Sequence, residues 1–287
     1  MKKWFFWLVL LALAGYGAAQ YEPDIRVEQP PAGTNQAGKT APSKPGLTIK
    51  VTKDQIHQGD MLLVNNDHPG PKGVGASEAV NLFQHKELVQ GFGLLDHSIR
   101  LSPRLVQKFS AMIGAAEKDG VRHFLISSGY RDAKEQDLLY RQMGGEYAMP
   151  AGYSEHNLGL SLDIGSTQSE MNQAPEGKWL KANAWRYGFI LRYPKDKTAV
   201  TGIQYEPWHF RYVGLPHSAV MHEKGWVLEE YLDFLQEQKS FTTVVGNQTY
   251  DIFYYPISGD TTLQVPASGR YDISGSNTDG VIVTVYR

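Results

Sequence analysis

The chain of 287 residues contains no cysteine. That absence excludes disulfide frameworks, thiolate zinc fingers, iron–sulfur clusters, a cysteine nucleophile and a lipid anchor on an N-terminal cysteine. Any strong metal site must therefore be built from His, Asp and Glu. An excess of charge of either sign is missing too, with 28 Lys plus Arg against 30 Asp plus Glu. Such a balance offers no counter-charge to a polyanion, so nucleic acid is not expected as a partner. Apolar residues make up 41% of the chain, enough to bury a core, which excludes disorder as the dominant state. No internal repeat is present.

The N-terminus carries Lys2 and Lys3, the apolar run Trp4 to Ala14, and the small residues Gly15, Gly17, Ala18 and Ala19. This is the order of an export signal, with cleavage expected after Ala19. An uncleaved anchor is the alternative, although residues 4–19 fall short of the roughly 20 that span hydrocarbon comfortably. In both cases the lysines stay cytoplasmic and the rest of the chain is expected on the outer side of the membrane, which it touches only through an uncleaved residue 1–19 segment. Residues 20–46 hold five of the 15 prolines (Pro23, Pro30, Pro31, Pro42 and Pro45) and scarcely any large apolar side chain. They read as an extended tether.

Order is expected from Leu47. Met61-Leu62-Leu63-Val64 reads as a buried strand ending in a turn. Ser102-Pro103 supplies an N-cap and a proline at the first helical position. Leu105, Phe109, Met112, Ile113 and Ala116 then recur at helical spacing over 103–119. Further strands are expected at 121–127, 158–164, 189–193 and 208–213, with helices at 133–143, 178–187 and 218–236. Helices and strands do not alternate strictly, which favours an α+β domain over 47–237 with a mostly antiparallel sheet. From 238 to 287 the chain is rich in Thr, Val, Tyr, Gly and Ser in short alternating runs, a small all-β module of four or five strands.

With thiols absent, the nine histidines are the first place to look for chemistry. No His-Glu-x-x-His helix occurs. In Ser154-Glu155-His156-Asn157-Leu158-Gly159-Leu160-Ser161-Leu162-Asp163, an unbroken strand would send His156 and Asp163 to opposite faces. Gly159 can supply the bend that brings them together. Leu160 and Leu162 then face one side and Ser161 and Asp163 the other. By itself the segment fits either a pair of metal ligands or a capping histidine beside an edge-strand carboxylate. Glu206-Pro207-Trp208-His209 shifts the balance. It adds a third nitrogen ligand, His209, and a carboxylate, Glu206, free to take a proton from a metal-bound water. A catalytic zinc needs just such a set: three protein ligands, an open position and a nearby base. The other reading makes Trp208 and His209 core aromatics and Glu206 a surface charge.

These residues resemble a known family. Ser-x-His-x-x-Gly-x-small-x-Asp, then Glu-x-Trp-His-x-x-Tyr, preceded by Ser128-Gly129-Tyr130-Arg131, is similar to the VanY-type D-alanyl-D-alanine carboxypeptidases, zinc peptidases of the bacterial cell wall. The resemblance runs from about Leu62 to Leu235 and leaves the C-terminal β module outside it. It implies an α+β zinc-peptidase fold and one zinc ion held by His156, Asp163 and His209. Glu206 corresponds to the base and Arg131 to the arginine that holds the oxyanion. Gln136 matches a position near the substrate's terminal carboxylate, and Ser154 a substrate-contacting serine. Trp208, between base and ligand, is expected to line the pocket. Ser161 stands where the family often has Ala. The partners implied are peptidoglycan stem peptides ending in D-Ala, the place of action expected for an exported chain is the extracellular face of the cell membrane or the cell wall, and some relatives serve in vancomycin resistance. An LD-carboxypeptidase acting on tetrapeptides and a D,D-dipeptidase share the scaffold. A non-catalytic wall-binding module is the alternative from another class; a spare base at Glu206 argues against it.

Overall fold

The computed structural model describes residues 25–28, 46–267 and 269–287. The expected export segment 1–19 and most of the expected tether lie outside the described residues. Among the described residues no helix is long and apolar enough to cross a membrane.

In chain order the first strands are β1 (Ile25–Glu28), β2 (Leu47–Val51), β3 (Val80–Asn81), β4 (Gly93–Leu94) and β5 (Arg100–Leu101). Then come β6 (Phe124–Ser128), β7 (Ser161–Ser166), β8 (Phe189–Leu191) and β9 (His209–Tyr212). The C-terminal strands are β10 (Ser240–Val245), β11 (Gln248–Pro256), β12 (Thr261–Val265), β13 (Arg270–Gly275) and β14 (Gly280–Tyr286). The helices are α1 (Pro103–Lys118), α2 (Ala133–Met143), α3 (Pro175–Asn183), α4 (Thr198–Thr201), α5 (His217–Lys224) and α6 (Leu228–Gln238).

One five-stranded sheet, in the order β4-β6-β7-β9-β8, carries the chemistry. Its pairings are antiparallel except for the parallel β4–β6 pair, so the fold is α+β as the sequence indicates. Helix α1 covers one face. Ser102 Oγ accepts from the Leu105 amide at 3.2 Å and Pro103 opens the first turn, an arrangement worth about 1 kcal/mol over alanine at the cap. Leu105, Val106, Phe109, Met112, Ile113 and Ala116 are buried against Phe124, Ile126, Leu162, Ile164 and Phe210. Each large side chain contributes roughly 1.5–3 kcal/mol by leaving water. The opposite face of β7 and β9 carries the polar residues.

The second five-stranded sheet has the order β1-β10-β11-β14-β13. Phe241, Ile252, Tyr254 and Ile282 pack against residues of α5 and α6, including Val220, Leu228, Tyr231 and Leu235. Val281, Val283 and Val285 face the other way, onto Ile49, Val51, Leu263 and Val265 of the β2–β12 pair. Strand β14 is therefore covered on both sides, which accounts for its nearly continuous apolar run.

Four expectations need correction. The tether is not wholly without structure: Ile25–Glu28 pairs antiparallel with β10, and Val27 packs onto the core shared with α5 and α6. Strands on the two sides of the boundary expected at 238 are joined, because β2 pairs with β12. Met61–Val64 is buried but is not a strand. Its backbone groups are met by other parts of the chain, with Met61 N donating to Ser274 Oγ, Leu63 N to Ser276 O, and Asn277 Nδ2 to Leu63 O. The helix expected over 218–236 is two, α5 and α6, broken at Gly225, whose φ of 64° ends α5 in the left-handed region. Smaller shifts occur elsewhere: α3 begins at Pro175, ahead of the 178 expected, and gives way to a 3-10 turn at Ala184–Tyr187.

Candidate active site

Strands β7 and β9 bring two of the expected ligands together by register. Asp163 lies directly opposite His209, and Ser161 opposite Arg211. Residues two apart share a face, so all four side chains project to the side away from α1. The third ligand arrives from the turn before β7. Ser154 caps a 3-10 helix over Glu155–Leu158, its Oγ accepting from the His156 amide at 3.3 Å. Gly159 ends that helix at φ 68°, a conformation that costs glycine nothing, and the chain turns back into β7. This is the bend the His156–Asp163 spacing requires.

The three ligand atoms form a nearly equilateral triangle. His156 Nε2 and His209 Nδ1 are 3.4 Å apart and lie 3.4 and 3.3 Å from Asp163 Oδ1. Zinc–nitrogen bonds of about 2.0–2.1 Å set tetrahedral edges of roughly 3.3–3.4 Å, so the triangle has the size of one face of a zinc coordination tetrahedron. Asp163 Oδ1 is buried and accepts no hydrogen bond, as befits an atom reserved for a cation. Both imidazoles have their other nitrogen engaged, which leaves the facing one as an electron-pair donor. His156 Nδ1 donates to Gly129 O at 2.7 Å, and His209 Nε2 points at Glu155 Oε2 at 3.4 Å. Gly129 can be nothing larger, because a Cβ there would lie 2.3 Å from Arg100 O.

The electrostatics suit this arrangement. Burial and the Arg131 charge push His156 down to about 4, so it is neutral at ordinary pH. Asp163 is held well below the carboxylate range; burial opposes this, and the histidines outweigh it. His209 goes the other way. Burial lowers it, but the Asp163 and Glu155 carboxylates beside its two ring nitrogens raise it to about 9. A cation at the triangle must therefore displace a proton from His209.

Glu206 is buried at the end of the turn into β9, with Oε2 3.5 Å from His209 Nδ1. Burial pushes its carboxyl up to about 7, against the pull of His209, a value suited to taking and returning a proton near neutrality. Arg131 sits on the other side. Its backbone amide donates to His156 O, and its carbonyl accepts from Asn157 Nδ2 at 2.7 Å. Its Nη1 is 3.9 Å from Asp163 Oδ2, and its buried Nε donates to nothing in the protein. A guanidinium fixed in place with an unused donor is equipped to hold a developing oxyanion.

The remaining expected residues are placed differently. Trp208 is 36% exposed. Ser154 is buried and engaged as a helix cap. Gln136, on α2, is buried; its Nε2 donates one hydrogen to Met149 O at 2.6 Å, and its Oε1 is buried without a partner.

Sequence reasoning missed the layer behind the ligands. Glu155 is fully buried. It accepts from Arg192 Nε at 2.8 Å and Arg211 Nη1 at 2.6 Å on Oε1, and from Ser161 Oγ at 2.9 Å on Oε2. Burial alone would raise its pKa; Arg211 and Arg192 hold it well below the usual range. Tyr193 packs its ring 4.8 Å from that of His209. The available signal was an arginine inside each of two apolar strand segments, Phe189-Ile190-Leu191-Arg192 and His209-Phe210-Arg211-Tyr212.

Comparison with known proteins agrees with this geometry. The family model described as D-alanyl-D-alanine carboxypeptidase, VanY, matches residues 98–215. A D-alanyl-D-alanine carboxypeptidase of Enterococcus faecium is 52% identical over 295 aligned positions, covering 100% of this chain and 97% of that protein. The structure of the vancomycin-resistance D,D-dipeptidase VanXYg, in complex with a D-Ala-D-Ala phosphinate analogue, aligns with a TM-score of 0.73 at 29% identity. It covers 84% of this chain and 99% of its own, so the likeness extends past residues 62–235 into the β strands. VanYB in complex with D-alanine-D-alanine aligns with a TM-score of 0.50 at 32% identity, over 61% of this chain and 97% of its own. The chain belongs to the VanY family of D-alanyl-D-alanine carboxypeptidases.

Proposed function

We propose that the protein is a zinc-dependent D,D-carboxypeptidase that removes the C-terminal D-alanine from peptidoglycan stem peptides or their precursors, acting on the outer side of the cell membrane. The observation that carries this reading is the triangle of His156 Nε2, Asp163 Oδ1 and His209 Nδ1 with the Glu206 carboxylate 3.5 Å from one corner. A purely structural zinc site closes its fourth position with a ligand and needs no base beside it.

His156, Asp163 and His209 would hold zinc, which would supply Lewis acidity and make a nearby water easier to deprotonate. Glu206 would take, at Oε2, a proton from the water that attacks the terminal peptide carbonyl. The carbonyl oxygen gains negative charge, and Arg131 donates to it; donors of this kind are often worth about 3–4 kcal/mol each. When the C–N bond breaks, Glu206 returns the proton to the amine of the departing D-alanine. Asp163 stays ionised throughout, and His156 keeps its Nδ1 hydrogen on the Gly129 carbonyl.

Measuring D-alanine release side by side from a pentapeptide, a tetrapeptide and free D-Ala-D-Ala tests the reading. Release chiefly from the pentapeptide is expected. Release from the tetrapeptide alone would make the enzyme an LD-carboxypeptidase, and release from the dipeptide alone a D,D-dipeptidase.

A further inference from the structure

The buried cluster behind the ligands spans four distant segments. Glu155 sits between Arg192 and Arg211. Arg192 also makes a two-pronged pair with Glu229 of α6, Nη1 to Oε2 at 2.8 Å and Nη2 to Oε1 at 2.6 Å. The rest of Arg211 is spoken for, Nε donating to Tyr212 O and Nη2 to the carbonyls of Asp60 and Leu62. Asn65 Nδ2 donates to Glu229 Oε1 at 3.2 Å. Two positive and two negative charges compensate one another with their donors satisfied. Burying such a group costs several kcal/mol per ion, and well-packed apolar residues of similar volume are often as stable or more so. Stability is thus a weak reason for the cluster.

Its placement supplies a better one. Glu155 Oε1 takes both arginines, whereas Oε2 is left to Ser161 Oγ and the Nε2 side of His209. The Ser161–Arg211 pair stands two residues along from the Asp163–His209 pair on the same face of the same two strands. The ladder that sets the ligand therefore also sets the residues that hold its carboxylate partner. We infer that Glu155 is a positioning residue, clamped by Arg192 and Arg211 so that its free oxygen holds His209 with a proton on Nε2 and the electron pair of Nδ1 turned to the metal.

The inference rests on the zinc reading above and predicts how a nearly isosteric change fails. In Glu155→Gln the single amide oxygen goes to the arginines, and the NH2 group is left facing Ser161 and His209. A donor there selects the other tautomer, which puts a proton on Nδ1 where the metal should bind. Partners of metal-bound histidines are commonly worth 10–100-fold in metal affinity.

The test is zinc affinity, by chelator competition, of the wild-type full chain and of Glu155→Gln, Glu155→Asp and Glu229→Gln, together with melting temperature. Glu229→Gln loosens Arg192 from the far side and gauges the effect of disturbing the cluster alone. The expected result is a 10–100-fold loss of zinc affinity in both folded Glu155 variants and a clearly smaller loss in Glu229→Gln. Affinity within threefold of wild type in a folded Glu155 variant, or equal losses at Glu155 and Glu229, overturns the inference while leaving the zinc enzyme standing. A wild-type chain that binds no zinc overturns both. Should the variants not fold, nitrogen NMR of histidines in the zinc-loaded wild type decides: zinc on Nδ1 and a slowly exchanging proton on Nε2 of His209 are expected, and zinc on Nε2 contradicts the inference.

Discussion

Asp163 and His209 stand directly opposite each other on β7 and β9, with the carboxylate Oδ1 3.3 Å from the imidazole Nδ1. The pairing of two strands thus places two of the candidate metal ligands, and only His156 has to be delivered by a loop. A site on a paired ladder is held more firmly than one built on loops alone.

Removing the base should separate binding from chemistry. Glu206 approaches the ligand triangle without completing it, so Glu206→Gln is expected to retain zinc and to lower kcat by about 10²–10⁴, the usual contribution of general acid–base catalysis. Metal content and kcat measured on one preparation check this. Undiminished kcat in the variant contradicts the assignment.

Arg131 leaves a buried Nε unused in the free protein. For Arg131→Ala the expected fall in kcat is about 10²–10³-fold, the scale of a lost oxyanion donor. An effect confined to KM would show that the arginine binds substrate and transition state equally well.

Stability should depend on pH in a direction that zinc changes. His209 in the metal-free fold has its pKa raised to about 9 from 6.5. The fold keeps a proton that the unfolded chain has released, so this stabilisation is full below pH 6.5 and is lost as pH rises through 9. Glu206, raised to about 7 from 4.5, adds a loss of the same sign through about pH 7. Melting temperatures of the metal-free protein should fall between pH 6.5 and 9, and those of the zinc-loaded protein should fall less, because there the metal replaces the proton on His209. A metal-free protein that gains stability over this range contradicts the balance described for His209.

Gly129 links packing to the ligand. A Cβ at this position would lie 2.3 Å from Arg100 O and 2.8 Å from Leu101 Cγ, so Gly129→Ala must displace the carbonyl that orients His156. Lower thermal stability together with weaker zinc binding is expected, and calorimetry with chelator competition measures both. Loss of stability with unchanged zinc affinity would show that the carbonyl does not control the ligand.

Much of the site was legible because its residues come in short runs whose spacing has a mechanical meaning. Ser154 to Asp163 needs a bend, and Gly159 gives it; the helix expected at 133–143 forms over those residues, with Asp132 Oδ1 accepting from the Glu135 amide at 2.9 Å at its start. The layer behind the ligands was not legible. Glu155, Arg192, Arg211 and Glu229 meet only through tertiary contacts, and an arginine in an apolar run hints at burial without naming its partner. Met61–Val64 misled for a related reason: an apolar run signals burial but not a ladder, and its backbone finds partners in distant residues such as Arg211, Ser274 and Asn277. The break at Gly225 was visible as a residue, but an isolated glycine does not by itself say whether a helix stops or continues.

The most direct test of the central claim is a zinc titration of the metal-stripped protein, with D-alanine release from a muramyl pentapeptide measured at each addition. Activity absent without metal and rising linearly to a plateau at one zinc per chain is the result expected of a single site at His156, Asp163 and His209. Full D-alanine release from the metal-stripped protein, or a plateau reached only at two zinc ions per chain, would contradict it.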